Sequence, residues 1–312
     1  MASARELQDR IKSIKDTMKI TSAMYMISSS KLQRAKKALS DTEPYFYNLQ
    51  ATMARVLSHM PEVEHLYFDN RIEDERETVK KKGYIVITAD KGLAGAYNMN
   101  VIKLVNEKLE EPGEHHLFMV GEIGRHYFMK RKDVDMALEF QWTAQHPTMN
   151  RARMIAETII DLYKHEQLDE VYVVYTQVVN SMKMAAVIDQ VLPLSTVKFT
   201  QLSIKENKKD GEELTLVPSA TAVINSIVPN YITGFLYGAL VEAFASEQNA
   251  RMLAMQTATS SAQGMLHELS IAYNRVRQAA ITQEITEVIG GAKALKKKKK
   301  KLTGREAVVS NG

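Results

Sequence analysis

The sequence contains no cysteine. It therefore has no disulfide framework, no thiolate metal site and no thiol redox switch, which suits a reducing cytoplasm. It is sparing with the residues that punctuate a chain, with 14 glycines and 7 prolines in 312 residues. No apolar run reaches the roughly 18–20 residues that span a bilayer. The opening MASARELQDR is too polar for a secretory signal. An overall charge of one sign is lacking too. The formal net charge is +4, but six consecutive lysines, Lys296 to Lys301, lie near the C-terminus, where Arg305 and Glu306 cancel; removing those six charges turns +4 into −2. That balance argues against a nucleic-acid binder built on a basic fold. What remains, 45% hydrophobic and 25% charged residues, is the composition of a soluble protein, long enough for one large domain or two ordinary ones.

Basic charge is also concentrated at the other end. Residues 1–40 hold nine basic side chains (Arg5, Arg10, Lys12, Lys15, Lys19, Lys31, Arg34, Lys36, Lys37) against Glu6, Asp9 and Asp16, with no Gly or Pro among them. An acidic partner surface and a solvated helix face both fit this charge.

The two ends carry matching periodicities. Leu7, Ile11, Ile14, Met18, Thr21, Tyr25, Ser28, Leu32, Ala35 and Leu39 step by 4 and 3 alternately, the 3.5-residue period of a coiled-coil seam. Thr21 and Ser28 predict a looser seam at its middle. Phe46, Leu49, Met53 and Val56 continue the spacing past Pro44, a candidate kink. One helix from about 3 to 58, roughly 80 Å long, follows. Near the other end, Val241, Ala245, Gln248, Met252, Met255, Thr259, Ala262, Leu266, Leu269, Tyr273, Val276 and Ala280 repeat the pattern. Ser219 after Pro218 is a candidate N-cap, Pro229 a candidate break and Gly290-Gly291 the expected stop. The helix from about 230 to 289 would run near 90 Å. Intramolecular antiparallel pairing of the two is favoured over separate homodimeric coiled coils, because the block between them returns the chain to its start.

That block reads as α/β, with strands at 83–89, 116–120, 170–179 and 184–192, a weaker one at 134–138, and helices at 98–110, 124–131 and 149–164. This order predicts a largely parallel sheet flanked by helices. Residues 204–213 read as a polar loop. Gly92-Leu-Ala-Gly95 and Gly121-Glu-Ile-Gly124 each follow a strand, yet neither has dinucleotide or P-loop spacing, so tight turns explain them best. The eight histidines form no metal motif; His115 and His116 are adjacent and would point to opposite sides of a strand. No nucleophile elbow is present. An α/β enzyme with helical arms and a coiled-coil nucleic-acid binder driven by the lysine run are the competing classes.

Three blocks carry a specific resemblance: KITSAMYMISSSKLQRA (19–35), TADKGLAGAYN (88–98), and SEQNARMLAMQTAT from 246 continuing to YNRVRQAAITQEITEVIGGA, which ends at 292. Over about residues 3 to 292 the chain resembles the gamma subunit of the bacterial F-type ATP synthase. The resemblance implies an α/β plus long-helix fold, in which an antiparallel coiled coil of the terminal helices carries a central Rossmann-like α/β domain. Periodicity and resemblance together give a coiled-coil helix at 1–60, a linker at 61–82, the central domain at 83–218 and the second coiled-coil helix at 219–292; past the resemblance, like-charge repulsion predicts a disordered lysine-rich tail at 293–312.

The resemblance also implies a non-catalytic rotating central stalk that couples proton flow in the membrane sector to ATP synthesis on the beta subunits. The partners would be the hexamer of alpha and beta subunits, the epsilon subunit and the membrane c-ring, with no nucleic acid and no cofactor. Its place would be the cytoplasmic side of the cell membrane, as a peripheral protein held there through the complex. Residue by residue, Met24, Lys31, Arg251, Gln278, Thr282 and Glu284 fall at shaft contacts with the hexamer, and Asp90, Lys91 and Gly92 at a middle-domain turn. For each, solvated surface or simple turn-shaping is the competing reading. Three departures stand out: Tyr25 in place of a charged or amide residue, Lys91 in place of arginine, and the tail from Lys296. The methionines in and beside the seams (Met18, Met24, Met26, Met252, Met255, Met265) suit changing neighbours as well as ordinary coiled-coil core.

Overall fold

The computed structural model describes residues 3–59, 65–68, 79–180, 183–195, 217 and 219–309, with side chains to residue 296 except at positions 43, 58, 59 and 220. The 204–213 loop and Pro218 lie outside the described residues. Two helices dominate: α1 (Ala4–His59) and α5 (Ala220–Val309). Between them come a 3-10 turn (Leu66–Phe68), β1 (Lys81–Ile87), α2 (Tyr97–Leu109), β2 (Glu114–Val120), α3 (Glu122–Phe128), β3 (Asp135–Met136), α4 (Met149–Lys164), β4 (Glu170–Val178) and β5 (Met184–Leu192).

The chain divides into two compact units, one of residues 24–255 and one of 1–23 with 256–312. In the larger unit five strands form one sheet in the order β3-β2-β1-β4-β5. The first four pair in parallel, and β5 returns antiparallel beside β4. Alternation along the strands sorts the core into two layers. Ile85, Ile87, Phe118, Val120, Val171 and Val173 face α4 and the long helices, meeting Met53 and Leu57 of α1 and Ile224, Val228, Ile232 and Leu236 of α5. Tyr84, Val86, Leu117, Met119 and Val174 pack with α2 and Phe128 on the other face. The turn from β2 into α3 demands glycine: Gly121 has φ of 96°, and a Cβ there would lie 2.2 Å from the Thr88 carbonyl oxygen.

Within this unit α1 and the first part of α5 pair antiparallel. Leu32 and Ala35 pack with Val241, Phe244 and Ala245. Further along α1, Phe46 stacks on Tyr231, earlier in α5, at 5.5 Å between ring centroids. Its ring sits over Gly234, where any Cβ would come within 2.9 Å of it. Ser219 caps α5 by accepting the Ala222 N–H at 3.2 Å.

In the smaller unit the start of α1 meets the distal part of α5. The hydroxyls of Thr21 and Thr259 hydrogen-bond at 2.8 Å, and Leu7 and Ala262 are buried. From Arg277 to Lys296 every residue of α5 is exposed. Several threonines on the long helices fold their hydroxyls back onto their own backbone, four residues earlier: Thr17 to Ser13, Thr42 to Ala38, Thr52 to Asn48, Thr282 to Gln278 and Thr286 to Thr282.

Four details differ from the sequence reading. The seam does not loosen at its polar positions: the Thr21 hydroxyl has a partner, and Ser28 is only 1% exposed. Small residues let helices approach closely, and a shared hydroxyl bond removes the desolvation cost. Pro229, a candidate break, does not end α5, whereas α1 runs on through Pro44 as the spacing predicts. Around Pro229, Asn230 Nδ2 donates to the Ser226 carbonyl and Thr233 Oγ1 to that of Pro229. The fully buried Val228 and Ile232 anchor the helix on both sides of the ring. The helical backbone also continues past Gly290-Gly291 and through the lysine run to Val309, so neither the stop nor the disordered tail is seen. A glycine inside a helix costs only about 1 kcal/mol relative to alanine, and the Ala, Leu and Lys around it are good helix formers. Finally, β1 begins at Lys81, inside the stretch expected to be linker.

Candidate functional site

Six of the nine residues singled out from sequence converge in the 24–255 unit. The β1 strand delivers the chain to Ala89, whose N–H donates to Asn98 Oδ1 at 2.8 Å. The next residues form an exposed turn in which Leu93 and Gly95 take positive φ, 63° and 56°. Asp90 staples this turn to a neighbouring loop: its carboxylate accepts the Thr143 hydroxyl and the N–H groups of Ala144 (3.2 Å) and Gln145 (3.1 Å). That loop is gathered in turn by one guanidinium nitrogen. Arg151 Nη1 donates to the carbonyls of Thr143 (2.9 Å), Gln145 (2.6 Å) and His146 (3.3 Å).

The second half of the site comes from α5. Residues 246–251 are all buried, although five of the six are polar or charged. Ser246 donates its hydroxyl to the Thr176 carbonyl at 2.9 Å, and Ala250 packs among Ala89, Ala94 and Tyr97. Arg251 spans the join. Its Nη2 donates to the carbonyls of Lys91 (3.1 Å) and Gly92 (3.0 Å), and its Nη1 pairs with Glu247 Oε1 at 2.6 Å, one helical turn back. Burial pushes the Glu247 carboxyl up, the Arg251 charge opposes this, and Glu247 Oε2 is buried with no hydrogen-bond partner. Burial and the Glu247 charge together raise the phenol of Tyr97.

Above the clamp lies a cavity of about 260 Å³ lined by Met24, Ser28 and Lys31 of α1, by Lys91 and Gly92 of the turn, and by Glu247 and Arg251 of α5. The structure thus brings together Met24, Lys31, Asp90, Lys91, Gly92 and Arg251. Arg251 spends its donors inside the molecule. Gln278, Thr282 and Glu284 are not part of this cluster. They lie in the smaller unit, exposed on α5, with the Thr282 hydroxyl bonded to the Gln278 carbonyl at 2.9 Å. Sequence reasoning missed Glu247 and Arg151. Glu247 had a signal, the Glu-to-Arg spacing of four on one helix; Arg151 had none, because its partners are backbone carbonyls of a loop.

Chemically the arrangement is a joint. It ties a sheet-borne turn to a long helix through backbone carbonyls, and no group of three or more metal-binding side chains occurs among the described residues.

A family model described as ATP synthase matches residues 3–295. The ATP synthase gamma chain of Ruminiclostridium cellulolyticum is 46% identical over 292 residues, covering 93% of this chain and 98% of that protein. The chain belongs to the ATP synthase gamma family. It is thereby a subunit of a larger complex. The gamma chain of Acetivibrio thermocellus is 44% identical, covering 95% of this chain and 100% of its own. A gamma chain named as sodium ion specific, from Acetobacterium woodii, is 36% identical over 94% of this chain and 99% of that protein. The fold agrees as well: a chain of the Euglena gracilis mitochondrial ATP synthase superposes with a TM-score of 0.62 at 17% identity, over 94% of both chains. No described helix is long and apolar enough to cross a membrane.

Proposed function

We propose that this gamma-family chain is the rotating central stalk of a bacterial F-type ATP synthase, coupling ion flow through the membrane sector to ATP synthesis and regulating ATP hydrolysis. One observation carries the reading. The three blocks that resemble the family meet at a single place: Met24 and Lys31 from the first, Asp90 to Gly92 from the second and Arg251 from the third. A joint between helix and sheet domain is what a torque-bearing subunit needs, because force applied to the domain must reach the helices without slippage. The bonds at the joint are charge-assisted, which makes them stronger than neutral hydrogen bonds, and most of them end on backbone groups of the turn and its neighbouring loop.

The chain does no bond chemistry in this reading; ATP forms on the beta subunits. The hexamer of alpha and beta subunits would surround the helices. The epsilon subunit and c-ring would hold the other end, on the cytoplasmic face of the cell membrane. Met24 and Lys31 would meet the hexamer from the rim of the clamp, and Gln278, Thr282 and Glu284 from the exposed length of α5. The basic N-terminal segment would face acidic surface of the beta subunits, an attraction that works at many rotor angles because it is long-ranged.

The test is reconstitution. Alpha and beta subunits should assemble with this chain into a hydrolytically active complex, and vesicles carrying the whole enzyme should make ATP under an ion gradient only when it is present. Normal assembly and coupled synthesis without the chain would sink the proposal.

A further inference from the structure

The 24–255 unit holds a second concavity that takes no part in the clamp. It lies where α1, β4 and the first part of α5 come together, and its volume is about 370 Å³. Its walls are aromatic: Tyr45, Phe46 and Tyr47 from α1, Tyr175 from β4, and Phe235 and Tyr237 from α5. Gly238 keeps part of the floor open, since a Cβ there would meet nothing within 4 Å. Tyr45 and Tyr47, 52% and 57% exposed, stand at the rim.

Charge in this groove has one sign. No lysine or arginine is among its described lining residues, and Glu242 is the one carboxylate there. Its Oε1 accepts the Val178 N–H at 3.3 Å, and it makes no ion pair among the described residues. A second carboxylate stands behind the wall, where Asp189 accepts the Tyr175 hydroxyl at 3.1 Å. Burial pushes the Glu242 carboxyl up, and the charge of Asp189 pushes the same way. Aromatic faces carry negative potential and attract ammonium groups seated over them. An anion would find no counter-charge here. A neutral apolar guest would leave the half-buried carboxylate without a cation.

We propose that this groove binds an organic cation, an ammonium on a short aryl or alkyl body, with the charge against Glu242 and the body between the rings of α1 and α5. The inference goes beyond the rotor reading and does not depend on it, since it concerns equilibrium binding to the isolated full-length chain.

The experiment titrates the full-length protein with 2-phenylethylammonium chloride, followed by saturation-transfer NMR, with neutral 2-phenylethanol as comparator. Saturable binding is expected, with the alcohol weaker by about tenfold or more, the factor that one good cation–aromatic–carboxylate contact supplies. Glu242→Gln should weaken the ammonium by a similar factor and leave the alcohol unchanged. Tyr45→Ala and Tyr47→Ala, at exposed positions that leave the fold intact, should each weaken it severalfold. Absence of saturable binding, equal affinity for ammonium and alcohol, or an unchanged affinity in Glu242→Gln would each overturn the proposal.

Discussion

In the unit of residues 24–255 the fold is held by side chains closed to solvent. Met53, Val86, Val101, Leu117, Ala152, Val173, Ile224 and Ile232 are all 0% exposed. In the unit of residues 1–23 and 256–312 only Leu7, Thr21 and Ala262 count as buried among the described residues, at 6%, 9% and 9%. The first is stabilised as a domain is, by apolar area removed from water. The second relies on backbone hydrogen bonds along two helices and on a thin line of contacts between them. The same pair of helices serves both. A helix pair therefore does not need a deep core along its whole length if one part of it is built into a domain.

This contrast can be broken at graded cost. Gly121→Val should be the most damaging change, because it drives a branched side chain into the Thr88 carbonyl at a positive φ. A loss above about 4 kcal/mol, enough to unfold the larger unit, is expected in chemical denaturation. Arg251→Ala comes next. It strands the buried Glu247 carboxylate and frees two turn carbonyls, at about 3–5 kcal/mol. Pairing Arg251→Met with Glu247→Leu should restore most of that stability but not the hold on the turn, so hydrogen exchange at residues 91–95 should stay fast. A double variant as unstable as the single one would show that the ion pair is not the source of the cost.

Thr21→Val, in the thin unit, removes one hydroxyl bond and should cost about 1 kcal/mol, seen as a small fall in thermal midpoint. The smallest stability effect is expected for Val288→Glu, at a position 72% exposed. It should change unfolding free energy by less than about 0.5 kcal/mol, yet lower ATPase activity in the reconstituted complex if the exposed part of α5 is a working surface. Equal activity with unchanged stability would remove that part of the helix from the mechanism.

Much of this architecture was legible in the chain. The runs at 114–120, 170–178 and 184–192 are strands because their β-branched and apolar residues are bounded by breakers, and 149–164 is a helix with Ile155, Ile159 and Leu162 set inward. The 4-and-3 spacing of the seams located both long helices. Their ends were less legible, because proline and glycine set local preference while tertiary packing sets the outcome; Val228 and Ile232 outweigh Pro229. The antiparallel direction of β5 was carried by the connection and not by strand composition: residues 180–183 alone separate the runs at 170–179 and 184–192, too short a link for a parallel crossover. At the joint, the family resemblance pointed to Arg251 and Asp90 but not to their partners. Those partners are mostly backbone groups of the turn and of the 143–146 loop, which every sequence possesses.

The threonines that bend their hydroxyls back onto α1 and α5 have a chemical consequence. With its one proton spent on the helix's own backbone, each of these hydroxyls can still accept a hydrogen bond but cannot donate one. At these positions a carbonyl or carboxylate lying alongside finds no donor to hold it.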